Sequence, residues 1–189
     1  MKYIICLTIL VSLNLSAATA GQSVVIPSEI KGESLITGAS QVVTVKQAKE
    51  KVTVVVFMSA KCPCSNSHVS VLKKIADQHK DFQFVVVHSN ADETAKDSAE
   101  YFKKANLPFA VIQDDDAKIA DQFKAFKTPH AFVVNTKGEI LYQGGVTDSS
   151  NGESASKNFL GDALNQIAEN KPVLVAQGRT LGCVISRKE

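Results

Sequence analysis

The sequence has no basic block and, after its first twenty residues, no long apolar run. Its 21 Lys and Arg residues nearly balance its 19 Asp and Glu residues. This balance gives no support for nucleic-acid binding, which calls for a basic patch or stripe. Internal repeats and low-complexity tracts are also missing. No segment after residue 20 is apolar over the length that a membrane-spanning helix needs.

The first twenty residues have the pattern of a secretory signal peptide. Lys2 supplies a positive charge, residues 3–15 are apolar, and Ala18-Thr19-Ala20 resembles a cleavage site. We expect residues 1–20 to be removed on export, with the bacterial periplasm as the expected compartment. Cleavage would leave no stable membrane span, and the alternative is an uncleaved membrane anchor.

Cysteine is scarce, with 4 residues in the whole chain. Cys6 lies in the predicted signal peptide, which leaves Cys62, Cys64 and Cys183. Three cysteines are too few for a disulfide scaffold. An odd number in an exported protein indicates at least one free, shuttling or metal-bound thiol. The pattern therefore favours a chemical role for these thiols.

Two of these cysteines lie where a predicted strand gives way to a predicted helix. The β-branched run at residues 52–59 predicts a strand buried on both faces, and Cys62-Pro63-Cys64 follows it. A thiol at a helix N-terminus lies beside unpaired N–H groups and a partial positive charge, which favour the thiolate. Lys61 adds a nearby positive charge. Cys62 is the candidate nucleophile, and a buried structural cysteine pair is the alternative.

The hydrophobic pattern predicts alternating strands and helices along the chain. Strands are expected at residues 42–45, 52–59, 82–88, 110–113, 131–134 and 140–142, and helices at residues 66–79, 91–105, 118–126 and 159–169. This order joins a β-α-β unit to a β-β-α unit and predicts an α/β fold, a central mixed sheet with helices on both faces. We expect one domain at residues 21–170 and a C-terminal tail at residues 171–189.

From about residue 42 to residue 169 the chain resembles the thioredoxin-like superfamily. The resemblance lies in the apolar strand before Cys62-Pro63 and in Thr128-Pro129 before another apolar strand. It implies a thioredoxin-like fold and a cis peptide bond at Pro129, for which an ordinary trans proline is the alternative. It also implies that the backbone of Thr128 is free to pair with a substrate strand.

A closer similarity is to the peroxiredoxin-like, TSA-type redoxin subgroup. Its members carry a Tyr-x-Gly turn followed by Asp and a C-terminal Gly-Cys-x-Ile. The corresponding residues here are Tyr142-Gln143-Gly144 with Asp148, and Gly182-Cys183-Val184-Ile185. This similarity implies that the tail folds back over the active site and brings Cys183 to it.

The expected reaction is thiol–disulfide exchange without a cofactor, with protein or small-molecule disulfides and thiols as partners. Cys62 would attack a disulfide, and Cys64 or Cys183 would resolve the mixed disulfide. Ordinary thioredoxins separate their two cysteines by two residues, a position occupied here by Ser65. A bridge between Cys62 and Cys64 would close a small, strained ring. The spacing leaves both resolving cysteines open.

Peroxide reduction is a second hypothesis. Peroxiredoxins place a Thr or Ser three residues before the reactive cysteine, and Ser59 has that position. They also hold the peroxide with an arginine, whereas this chain has only Arg179 and Arg187, both in the tail. We therefore rank peroxide reduction below thiol exchange.

Copper binding without catalysis is a third hypothesis, because soft thiolates and imidazoles suit Cu(I). The candidate ligands are Cys62, Cys64, His68 and His130. Cys64 and His68 are four residues apart on the predicted helix and so share one face. Sco-type copper chaperones resemble this arrangement, although their cysteines are further apart.

Overall fold

The computed structural model describes residues 26–45 and 52–188. The predicted signal peptide at residues 1–20 lies outside the described residues. The described strands are β1 (Glu29–Glu33), β2 (Ser40–Thr44), β3 (Thr53–Phe57), β4 (Gln83–His88), β5 (Ala110–Gln113), β6 (Lys127–Thr128), β7 (His130–Val134), β8 (Ile140–Gly144) and β9 (Cys183–Val184). The described helices are α1 (Pro63–Ser67), α2 (Val69–Gln78), α3 (Ala95–Ala105), α4 (Lys118–Phe123) and α5 (Phe159–Ala168).

Five strands form the central sheet in the order β5-β4-β3-β7-β8. Strands β3, β4 and β5 run parallel, whereas β7 is antiparallel to β3 and β8 is antiparallel to β7. The prediction of a mixed sheet is thus confirmed. All five residues of β3 are buried, as its β-branched sequence predicted.

The central sheet buries both of its faces against other elements. Val54 and Val56 pack in one core with residues of α2, α3 and α5. Val55 and Phe57, which point the other way, pack in a second core with residues of α4 and of the β1–β2 pair. Helices therefore cover both faces, as predicted.

Three predicted helices differ from those in the structure. The helix predicted at residues 66–79 is divided at His68, whose side chain is buried. The helix predicted from residue 91 begins at Ala95, because the Thr94 side chain accepts a hydrogen bond from the N–H of Asp97 at 3.1 Å. The helix predicted to end at residue 126 ends at Phe123, because Lys124 is left-handed with φ of 54°.

The C-terminal segment returns across the molecule and pairs with it twice. Gln177 forms a bridge with Gln143 of β8, and β9 pairs with β6 in antiparallel register. Ile185, which is 2 % exposed, then enters the core that contains Phe57 and Phe123. Within the described residues, no helix is both long and apolar enough to pass through a membrane.

Candidate active site

The turn between β3 and α1 positions Cys62. Cys62 has an extended backbone and is the N-cap residue of α1, with Pro63 as the first helical residue. Its carbonyl accepts a hydrogen bond from the N–H of Asn66 at 3.0 Å, and its own N–H donates to Oγ of Ser59 at 3.0 Å. The reactive-cysteine candidate is therefore fixed through its backbone on both sides.

The tail brings a second sulfur to Cys62. Sγ of Cys62 and Sγ of Cys183 are 2.8 Å apart, and the Cys62 thiol also contacts the carbonyl oxygen of Thr128 at 3.2 Å. Sγ of Cys64 completes a group in which the three sulfurs lie within 4.8 Å of one another. Cys62 is 2 % exposed, whereas Cys64 and Cys183 are half-buried.

The three thiols differ in acidity. Burial raises the pKa of Cys62, but hydrogen bonds with Cys183 and with nearby backbone outweigh burial and lower that pKa to about 7. The hydrogen bond with Cys62, together with burial, raises the pKa of Cys183 to about 12. Burial and the charge of Cys62 raise the pKa of Cys64. Near neutral pH, the thiolate therefore resides on Cys62.

The Thr128-Pro129 peptide bond is cis, as the family resemblance implied. The further expectation, that the backbone of Thr128 is free for a substrate strand, is wrong. Thr128 pairs with Cys183, and Lys127 pairs with Val184. The approach is close enough to require glycine at the preceding position, since a Cβ on Gly182 would lie 2.0 Å from the Thr128 carbonyl oxygen.

The two candidate histidines are not in the sulfur cluster. His68 is buried and both ring nitrogens are engaged, Nδ1 with the Cys64 carbonyl at 2.7 Å and Nε2 with Oγ1 of Thr147 at 2.8 Å. His130 is buried between Phe126 and Phe132, with ring centroids 5.2 Å and 4.4 Å away. Among the described residues, the metal-ligating atoms that converge are the three sulfurs, which could hold a soft ion such as Cu(I).

A buried carboxylate beneath the turn was missed by sequence reasoning. Glu93 is 9 % exposed and accepts hydrogen bonds from the hydroxyl of Ser59 and from the N–H groups of Ala60 at 2.8 Å and Lys61 at 3.2 Å. Nε2 of His88 lies 3.1 Å from the same carboxylate. Burial raises the pKa of Glu93, but the hydrogen bonds with His88 and Ser59 outweigh it and lower the pKa. The network fixes the turn through Ser59.

The Lys61 side chain is bonded to the segment that precedes α3. Its ammonium group donates to the carbonyl oxygen of Asp92 at 2.8 Å and is exposed. The acidity of Cys62 is explained without it, by hydrogen bonds from Cys183 and local backbone.

Comparisons with known proteins identify the family and the fold. The family model described as Redoxin matches residues 11–160. An uncharacterized conserved protein from Geobacillus kaustophilus is 26% identical, with a TM-score of 0.74 over 86% of this chain and 90% of that chain. A hypothetical protein from Sinorhizobium meliloti is 20% identical, with a TM-score of 0.72 over 85% of this chain and 91% of that chain.

A further similar structure is the thioredoxin domain of a thiol-disulfide oxidoreductase from Bacteroides vulgatus. It is 19% identical, with a TM-score of 0.55 over 77% of this chain and 94% of that chain. At this identity the likeness shows the thioredoxin-like fold alone. No curated protein matches the chain.

Proposed function

The chain belongs to the redoxin family, and from this premise we propose that it is a thiol–disulfide oxidoreductase with Cys62 as nucleophile and Cys183 as resolving thiol. Family membership supports an oxidoreductase-like role. The observation that carries the finer assignment is the 2.8 Å approach of the Cys62 and Cys183 sulfurs. A pKa of about 7 at Cys62 supplies the thiolate that disulfide exchange requires.

The proposed reaction begins when the Cys62 thiolate attacks one sulfur of a disulfide. A bond forms between Cys62 and that sulfur, and the other substrate sulfur leaves as a thiolate. Cys183 then attacks Sγ of Cys62, its proton passes to the departing thiolate, and a Cys62–Cys183 disulfide forms. The substrate gains two electrons and the protein loses two. An external thiol of low molecular mass reverses these steps and restores both cysteines.

Two observations support Cys183 over Cys64 as the resolving thiol. The sulfur of Cys183 is in direct contact with that of Cys62. A Cys62–Cys64 bridge would instead close a ring across Pro63, which strains a disulfide. Cys64 remains close enough to act as a third thiol, because all three sulfurs lie within 4.8 Å of one another.

The surroundings of Cys62 favour disulfides over peroxides as substrates. The hydroxyl of Ser59 donates to Glu93 and accepts from the Cys62 N–H, so it is engaged within the turn. The guanidinium of Arg187 is bonded to Asp121 at 2.8 Å and to the Ala125 carbonyl at 2.9 Å. Neither group is presented to a peroxide at Cys62.

The proposed compartment is the periplasm, with the protein exported through its predicted signal peptide at residues 1–20. Thiol–disulfide exchange fits such a location, since disulfides form and persist in oxidising compartments. The proposed partners are thiols and disulfides.

Three matched Cys→Ser variants test the assignment. We expect Cys62→Ser to abolish reduction of hydroxyethyl disulfide and Cys64→Ser to retain it. When the reduced protein reacts without external thiol, Cys183→Ser should stop at a mixed disulfide on Cys62, because the resolving thiol is missing. Mass spectrometry after alkylation, with and without prior reduction, identifies each species.

Two results would contradict the proposal. A block by Cys64→Ser together with full turnover by Cys183→Ser would assign resolution to Cys64. Three unreactive thiols and a copper adduct in the native mass spectrum would favour a three-sulfur Cu(I) site in place of exchange.

A further inference from the structure

The edge beside Cys62 that could receive an extended polypeptide is already occupied. The short strand β6 ends at Thr128, whose carbonyl oxygen lies 3.2 Å from the Cys62 sulfur. Strand β9 pairs with β6, placing Cys183 opposite Thr128 and Val184 opposite Lys127. The pairing continues outward, since the N–H of Ile185 donates to the Phe126 carbonyl at 3.0 Å.

We infer that β9 acts as a built-in substitute for a substrate strand and limits this site to small disulfides and thiols, excluding disulfides within a protein chain. The inference rests on the proposed exchange reaction and names its substrate class. A polypeptide that adds to a strand edge uses main-chain hydrogen bonds for its affinity. Here those main-chain groups are paired with β9, and Cys183 lies where the cysteine of such a polypeptide would meet Cys62.

The tail is fixed on both sides of Cys183, which keeps β9 paired with β6. Before it, Gly182 with φ of 150° brings the backbone into contact with Thr128. After it, Ile185 is 2 % exposed in the core. The Ser186 carbonyl accepts from the Ala91 N–H at 3.1 Å, and Arg187 is paired with Asp121.

The exposed fractions of the three cysteines also favour small substrates over polypeptides. Cys62 is 2 % exposed, which excludes a folded protein from its sulfur while β9 is in place. Cys64 and Cys183 are half-buried residues, so their side of the sulfur cluster is the more accessible one. A small disulfide needs only a local shift of the Cys183 side chain, whereas a polypeptide needs the whole β6 edge.

The test compares first-turnover rates of the reduced full-length protein with hydroxyethyl disulfide and with insulin. We expect the wild-type protein to react with the small disulfide and to discriminate against insulin. Gly182→Ala forces the tail away from Thr128, because its new Cβ would meet a backbone oxygen. We expect it to raise the insulin-to-small-disulfide rate ratio about tenfold, which corresponds to about 1.4 kcal/mol.

Gly38→Ala is the matched control. Gly38 also has a positive φ, 72°, but an added Cβ there would have as its nearest neighbour Oε1 of Glu33 at 3.9 Å. The insulin-to-small-disulfide rate ratio of Gly38→Ala should equal that of the wild-type protein.

A second variant loosens the tail without placing an atom against Thr128. Ser186→Ala/Arg187→Ala removes the hydrogen bonds of two exposed or half-buried side chains to Asp92 and Asp121. It should raise the same ratio. An unchanged ratio in this variant, or equal wild-type rates with both substrates, would overturn the inference. No wild-type reaction with hydroxyethyl disulfide would instead overturn the proposed function on which it rests.

Discussion

At the scale of single residues, the acidity of Cys62 is determined by groups that are distant in sequence. Cys183 and the local backbone favour its thiolate, and burial alone would have had the opposite effect. The same contact with Cys183 makes the pKa values of the two thiols differ, since it raises the pKa of Cys183 to about 12. One sulfur is thereby ready to attack while its neighbour keeps its proton.

The pH dependence of alkylation tests this account. The rate at Cys62 should rise with pH through a midpoint of about 7 and level off above it, because only the thiolate reacts. Cys183→Ala removes a hydrogen bond that lowers the pKa, so its midpoint should lie higher. Cys183→Ser keeps a hydrogen-bond donor and should shift it less. Iodoacetamide labelling, measured on the Cys62 peptide by mass spectrometry, gives both midpoints; equal midpoints in all three proteins would contradict the account.

At the scale of elements, the segment between β4 and α3 supports the turn between β3 and α1. Glu93 provides the link, since it accepts hydrogen bonds from Ser59, Ala60 and Lys61. A buried carboxylate is stable only when it is paired and hydrogen-bonded. Here His88 provides a further partner for the Glu93 carboxylate. The Glu93 side chain thus fixes the turn that carries Cys62.

Glu93→Ala should reduce the free energy of unfolding by about 3 kcal/mol at pH 7, because it leaves several buried donors without an acceptor. Urea unfolding measures the loss, and the exposed Glu153→Ala should change it by less than about 0.5 kcal/mol. The pKa of Glu93 is lowered by folding. Its stabilising effect is therefore present above an unfolded pKa of about 4.3 and is lost as pH falls through the folded value. Similar losses in both variants would refute this role.

At the scale of the whole molecule, buried imidazoles link stability to pH. Burial lowers the pKa of His68, of His79 and, to about 4, of His130. These histidines lie on different elements and contact different parts of the core. The folded protein should therefore resist their protonation more than the unfolded chain does.

Acidification from pH 7 to pH 5 should lower the free energy of unfolding, and His130 alone should account for about 2 kcal/mol of the loss. The sign follows because its folded pKa of about 4 lies below the unfolded value of 6.5. Its contribution is complete above pH 6.5 and is lost as pH falls. Urea unfolding at both pH values should show a dependence smaller by about 2 kcal/mol in His130→Phe. Equal pH dependence in the two proteins would contradict this prediction, whatever their absolute stabilities.

The sequence predicted the parts of the fold that depend on local pattern. The β-branched run before Cys62 identified β3, and the alternation of strands and helices identified the mixed sheet. Strand β1 escaped prediction because Glu29–Glu33 contains one buried apolar residue, Ile30, among polar residues and a glycine. Its partner β2 was identified by its β-branched centre.

The arrangement of the site depended on contacts that no local pattern encodes. Glu93 was predicted to lie in a helix, where an acidic residue suggests an exposed face, and its burial depends on the turn at Ser59. His68 was a candidate copper ligand only in the third hypothesis, and its ring is engaged by the Cys64 carbonyl and the Thr147 hydroxyl. The path of the tail could be inferred only from a family motif, and the motif did not indicate that the tail would pair with Thr128.

The bridges to the outer strands of the central sheet bear on how the protein behaves when crowded with its own copies. Strand β5 is covered where the N–H of Leu35 donates to Val111 at 2.9 Å, and β8 is covered where Gln143 exchanges hydrogen bonds with residues 176–178. A loop that covers a sheet edge reduces the tendency of that edge to pair with another chain. Strand β9 covers neither edge, because it pairs with β6. Displacing β9, as in Gly182→Ala, would therefore leave both outer strands of the central sheet covered.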